Sequence, residues 1–238
     1  MNKVVFKSTM MQTVYDFCLK TLKDLVEEHK DEVFNYQVSV DIAPSLNEAK
    51  GSVESSIDTL SEDELKDRRR VKEVAGHAVD VTKNIPFATK ATMIKRGSRI
   101  FVKNANIVIS GNADLIRISM LRNLYRFEEW LKNDITTQLK HEFGHVLHYI
   151  ELDGTPYSEW YDNFKIDNKG YEDFYKWRDE SKENDTFTVE EGVARYYSIP
   201  GEARANALGN VTLDDLLQIE KVNGNKESYT IEVKSYKK

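Results

Sequence analysis

With 238 residues, 40% of them hydrophobic, the chain can bury a substantial core as one large domain or two small ones. A formal net charge of −6 argues against nonspecific nucleic-acid binding, and no apolar run approaches the ~20 residues of a membrane span. The single cysteine, Cys18, excludes an internal disulfide.

Polar and charged residues interrupt every apolar run between Met1 and Cys18, so no secretory leader is expected and the chain is expected to act in the cytoplasm. Val4 to Lys7 reads as a short strand. Thr9 and Gln12 form a capping-box pattern, after which Met11, Val14, Cys18, Leu22 and Leu25 recur at helical spacing toward Lys30. Cys18 falls on the apolar face of that helix and reads as a buried thiol. Phe34, Tyr36, Val38, Val40 and Ile42 alternate with polar residues, the pattern of a half-buried strand. Pro44 to Thr59 is polar and reads as a loop or linker. Ser61 and Glu64 open a helix whose Arg68, Arg69 and Arg70 fan around the circumference as a solvated face. His77 has no neighbour that completes a metal site.

The pattern then turns to β. Val79 to Thr82, Arg99 to Val102, Asn106 to Ser110 and Leu115 to Ile118 are short runs separated by Gly97, Asn104 and Gly111-Asn112. Asn106 to Ser110 is the candidate edge strand. Met120, Leu121, Leu124, Phe127, Trp130 and Leu131 mark a helix that backs the next one.

Leu139 to Ile150 contains H-E-x-x-H at His141, Glu142 and His145. Residues four apart share a helix face, so His141 and His145 can aim two imidazole nitrogens at one ion about 2 Å from each. Glu142, one step round, can take a proton from a water that zinc has brought from a pKa of about 15.7 to about 7. Ile135, Leu139, Phe143, Val146, Leu147 and Ile150 supply an apolar stripe, and Asp134 can cap the start. Gly144 costs about 1 kcal/mol in a helix interior, which a substrate or neighbouring strand passing close to the backbone would explain. The run H-E-F-G-H-V-L-H resembles the active-site helix of the thimet oligopeptidase family, and H-E-F-G-H is similar to the corresponding stretch of anthrax lethal factor. The resemblance implies the zincin superfamily, with a zinc ion and a small sheet packed on the active helix.

Zinc then requires a third protein ligand. His148 follows on the same helix but sits a turn further along the axis, which suits a supporting or packing role. It also stands where the metzincin pattern needs glycine, and Glu151 where that pattern needs histidine. Downstream, Glu191-Gly192-Val193-Ala194-Arg195-Tyr196 resembles the E-G-x-A-x-Y segment of zinc aminopeptidases, which implies Glu191 as third ligand. Thr188 and Glu191 also form a capping box, and Glu190 is the substitute if Glu191 caps. Pro200-Gly201-Glu202-Ala203-Arg204-Ala205 is similar to a P-x-E-x-x-A element of small metallopeptidase-like proteins and keeps Glu202 in reserve; its other reading is a helix start. Tyr171, Tyr175, Tyr196 and Tyr197 are candidate oxyanion stabilisers.

Asp153 to Gly170 reads as a loop-rich insert with aromatic residues Tyr157, Trp160, Tyr161 and Phe164, and Tyr171 to Lys182 reads as a helix. Thr212 and Asp215 begin a last helix. Asn223-Gly224-Asn225 turns the chain into a strand with Tyr229, Ile231 and Val233, followed by the basic tail Lys234 to Lys238. The expected architecture is α+β and zincin-like: a helix-strand-helix extension over 1–75, a metallopeptidase domain over 76–222, and a strand and tail over 223–238. The expected function is zinc-dependent hydrolysis of a peptide bond in a peptide or protein, with His141, His145 and Glu191 on zinc and Glu142 as base. The alternative is a non-catalytic acidic interaction protein on the same scaffold, such as a phage or mobile-element factor that inhibits a host protein. An intact Glu142 argues against it.

Overall fold

The computed structural model describes residues 2–43 and 86–224. Helices α1 (Asn2–Glu28) and α2 (Lys30–Val33) lead into strand β1 (Gln37–Ala43), and after the undescribed interval come β2 (Phe87–Arg96) and β3 (Arg99–Asn112). Helix α3 (Ala113–Arg122), a 3₁₀ turn (Leu124–Arg126), α4 (Phe127–Trp130) and a π-helical turn (Leu131–Ile135) precede α5 (Thr136–Leu152). The chain continues through α6 (Tyr157–Glu183), α7 (Val189–Tyr196), α8 (Pro200–Leu208) and α9 (Leu213–Gly224). A mostly helical body with one small mixed sheet is an α+β architecture, as the sequence implies.

The sheet order is β1-β3-β2, with β3 parallel to β1 and antiparallel to β2. Asn106 to Ser110 is therefore the middle of the sheet and not an edge, and Arg99–Val102 and Asn106–Ser110 are one strand. Asn104 and Ala105 at φ 55 and 49 bend β3 locally without ending it. The hairpin partner β2 was not apparent in the sequence, because Lys90 and Thr92 break up its apolar positions.

Two other expected strands are helical. Val4 to Lys7 lies inside α1, so Thr9 and Gln12 do not cap it; an apolar run as short as Val4 to Phe6 is compatible with either structure, and the helix extends through it. Leu115 to Ile118 lies inside α3 because the Asn112 side chain accepts from the Leu115 N–H at 3.0 Å and starts a helix there. The loop expected over Asp153 to Gly170 is mostly the first half of α6. Thr212 and Asp215 do form a reciprocal box: the Thr212 N–H donates to Asp215 Oδ2 at 2.9 Å and the Asp215 N–H to Thr212 Oγ1 at 3.2 Å. The readings made for Pro44 to Thr82 and for Tyr229 to Lys238 lie outside the described residues.

One core cluster joins α1, the sheet and α5 through Val14, Cys18, Leu22, Ile107, Ile109 and the stripe Ile135, Leu139, Phe143, Val146 and Leu147. A second, built on Phe174, Val193, Tyr196, Tyr197, Ile199 and Leu216, holds α6, α7 and α9 together. Asp134 does not cap α5. The helical path runs on through the π turn, and the buried Asp134 carboxylate accepts from Arg126 Nη2 at 2.5 Å. Among the described residues no helix is long and apolar enough to cross a membrane.

Candidate metal centre

Gln138, His141, Glu142 and His145 share one side of α5, beside the apolar stripe that packs into the core. Helix α8 crosses this helix at a point where neither tolerates a side chain. A Cβ on Gly144 would overlap the carbonyl oxygen of Ala205, and one on Gly209 that of Lys140. Gly201, Ala205 and Gly209 recur every four residues, a small-residue face that allows this approach. Glu202 and Asn206, each one position further round, are thereby delivered to the histidines. The passing element that Gly144 requires is this helix, not a strand or substrate.

The start of α8 is fixed from α6, where Asp167 Oδ1 accepts from the Gly201 N–H at 2.9 Å. Pro200 supplies the first helical turn without a donor to satisfy.

Glu202 Oε2 lies 3.2 Å from His141 Nε2 and 3.4 Å from His145 Nε2. These three residues are the group of potential ligands among the described residues, each with one donor atom within 4.8 Å of the others. Two ligands that are each about 2.1 Å from a tetrahedral ion stand ~3.4 Å apart, so the observed separations suit a shared metal. Oε2 is buried and receives no hydrogen bond, an orphaned acceptor aimed at two imidazole nitrogens. A cation is the group that satisfies all three atoms.

The surrounding bonds leave those atoms free for it. His141 Nδ1 donates to Asn206 Oδ1 at 2.7 Å, which fixes the tautomer and points the Nε2 lone pair toward Glu202. The other carboxylate oxygen, Oε1, accepts from Tyr171, and from Tyr196 at 3.2 Å. Burial, with the Glu202 charge next, holds both phenols protonated and well above their usual range, so they remain donors. Burial pushes the Glu202 carboxyl up, but the two facing imidazoles outweigh it and hold the group well below the usual carboxylate range. Burial likewise opposes a charge on His141, and the Glu202 carboxylate overrides it to raise the imidazole from 6.5 to about 9. In the absence of a metal, a proton takes its place.

Glu142 is as buried as His141 and belongs to the same turn of α5. Thr89 Oγ1 from β2 lies 2.7 Å from its Oε2 and 2.8 Å from its main-chain oxygen, tying the carboxylate back toward its own backbone. This threonine and Asn206 were missed in the sequence. Asn206 stands four residues after Glu202 on a helix of small residues, and that spacing was the available signal.

Glu191 does not join the histidines. Its N–H is capped by Thr188 Oγ1 at 3.2 Å, and its carboxylate accepts from Arg195 Nε at 2.9 Å on the outer side of α7. The capping reading was correct for its backbone, and Glu202 is the glutamate that stands with the two histidines. Glu190 is exposed on the same first turn and is also outside the group. His148 is half-buried on α5 three residues past His145, its pKa pushed down by burial and by His145. Of the four tyrosines, Tyr171 and Tyr196 are engaged by Glu202, Tyr197 packs edge-on against His141 with ring centres 5.3 Å apart, and Tyr175 packs against Phe174. No protein-family model matches the chain, and comparison with curated proteins and with solved structures found no match.

Proposed function

We propose that this protein is a metal-dependent peptidase that uses His141, His145 and Glu202 to hold a divalent ion, with zinc as the best fit to two imidazoles and a carboxylate. The observation that carries the reading is the pair of 3.2 and 3.4 Å separations from two histidines to one orphaned carboxylate oxygen, with the buried Glu142 next to His141 on the same helix. When bound, such an ion acidifies a water molecule and polarises the carbonyl it attacks. Glu142 accepts the proton released by that water and returns it to the departing amine. Thr89 holds the Glu142 carboxylate in one orientation, and Asn206 holds the His141 ring.

A peptide substrate is favoured by the sheet. Among the described residues β2 lies at one edge, pairing with β3 on one side, and it carries the Thr89 that touches Glu142. An extended chain added along its other side would run past the proposed base, with main-chain hydrogen bonds supplying affinity.

The test is a peptide-library digest by the zinc-loaded protein beside Glu142→Gln. Hydrolysis that falls by about 10²- to 10⁴-fold in the variant while the metal stays bound supports the reading. Equal cleavage by both, or none by either, overturns it; the last result with a captured protein partner favours the interaction-protein alternative.

A further inference from the structure

Tyr157, Trp160, Tyr161 and Phe164 of α6 lie outside both core clusters, and all four are half-buried. They stack on one another instead. Tyr157 and Tyr161 have ring centres 5.8 Å apart and planes 14° apart, and Trp160 and Phe164 are stacked at 5.3 Å and 15°. A partly exposed helix face needs no aromatic residue for its own stability, and ring faces gathered at the surface are the form that a binding patch takes.

This ladder stands at the far end of two elements that both reach the histidine and glutamate group. Thr89 of β2 touches Glu142, and six residues on, the exposed Lys95 holds Nζ 4.0 Å from the Tyr157 ring centre. At about 3.3 Å per residue the interval is ~20 Å. The two residues share one face of β2, since the extra residues at the register shift belong to β3. Tyr171 of α6 donates to Glu202, and Tyr157 lies fourteen residues before it, ~21 Å at about 1.5 Å per residue. Intervals of seven put Tyr157, Phe164 and Tyr171 on one side of α6, and the Tyr157 N–H is fixed to the hairpin by donating to Ser98 O at 2.8 Å. The strand and the helix thus set the same distance between the group and the rings. A peptide added along β2 from Glu142 meets them about six residues away.

Two ammonium groups rim the rings, Lys95 over Tyr157 and Lys165 over Tyr161, each 4.0 Å from the ring centre. Asp162 approaches Lys165 at 3.8 Å, and Glu159 lies on the opposite side of the helix. The surface is complementary to an aromatic side chain with a carboxylate beside it. We propose that Tyr157, Trp160, Tyr161 and Phe164 form a distal subsite for an aromatic residue with an acidic neighbour, about five to seven residues from the cleaved bond. The inference rests on the peptidase reading and names its substrate class: an extended segment of a protein or long peptide, not a di- or tripeptide.

The experiment uses the zinc-loaded protein and a peptide from the library digest, lengthened by about eight alanine and serine residues on each side of the cleaved bond. A Tyr-Glu pair is moved through these extensions one position at a time. The expected result is a kcat/KM raised about 3- to 10-fold when the pair stands about five to seven residues from the bond on one side, and a smaller gain for Tyr-Lys. Trp160→Leu and Tyr161→Leu keep apolar bulk and lose the ring face; at equal metal content, the gain from the pair should disappear in both. The series on the wild type needs no variant, so a leucine variant that does not fold leaves the test intact. A flat positional profile, or a gain kept in full by the variants, would overturn the subsite and leave the peptidase reading standing. Failure of the metal-loaded wild type to cleave any peptide would remove both.

Discussion

Gly144 of α5 and Ala205 of α8 meet backbone to backbone: a methyl group on Gly144 would overlap the Ala205 carbonyl and come within 2.9 Å of the Gly209 nitrogen. This crossing sets where Glu202 stands, because Glu202 and Asn206 flank the small-residue face that makes it. Gly144→Ala should therefore destabilise the fold by about 1–3 kcal/mol or more, as overpacking does in rigid interiors, and lower metal affinity as well. Denaturant unfolding of metal-free protein, read beside a zinc titration, checks both effects. An alanine variant with unchanged stability would mean that the helices do not approach as described.

Tyr171 and Tyr196 both donate to Glu202 Oε1, which leaves Oε2 to face the two histidines. Tyr171→Phe keeps the ring packing and removes one donor from a buried carboxylate. Metal affinity should drop by roughly 10- to 100-fold, the usual effect of losing a group that orients a ligand. Competition with a zinc chelator measures it, and an unchanged constant would contradict the clamp.

The His141 imidazole, raised from 6.5 to about 9 by Glu202 against the opposing effect of burial, gives the metal-free protein a signed pH dependence. A folded-state value above the unfolded one contributes stability that is complete below about pH 6.5 and is lost as pH rises toward 9. Metal and proton compete for the same nitrogen. The melting temperature in chelator should therefore decline between pH 6.5 and 9, while the increment given by added zinc grows over the same interval. A zinc increment independent of pH would place the metal elsewhere.

Burial pushes the Cys18 thiol up to about 12, and the side chain is fully enclosed in the core with Val14 and Leu22. The native protein should resist alkylation at pH 8 and react once unfolded, because the thiolate is the nucleophile. Rapid modification of the folded chain would show that α1 does not pack as described.

Helix α5 was legible in the sequence because two independent periodicities coincide in it. The apolar stripe Ile135, Leu139, Phe143, Val146 and Leu147 is buried as read, and His141 and His145 share the face that remains. The glutamate that joins the histidines was not, because Glu191 and Glu202 both sit in the first turn of a short helix, where an acidic residue is favoured with or without a metal. What separates them is which helix can approach α5, and that depends on Gly144 meeting Gly209 across 65 residues of chain. Gly144 did signal a close neighbour; it could not say which segment. The sheet was harder to read for local reasons. β2 alternates weakly, Asn112 diverts Leu115 to Ile118 into a helix, and Asn104 resembles a strand end while only bending one.

The most direct measurement is the metal content of purified wild type, Glu202→Gln and Glu191→Gln by elemental mass spectrometry after loading with zinc at neutral pH. A site built from His141, His145 and Glu202 predicts about one ion per chain in the wild type and in Glu191→Gln, and its loss in Glu202→Gln. Zinc retained by Glu202→Gln, lost from Glu191→Gln, or absent from the wild type would contradict it.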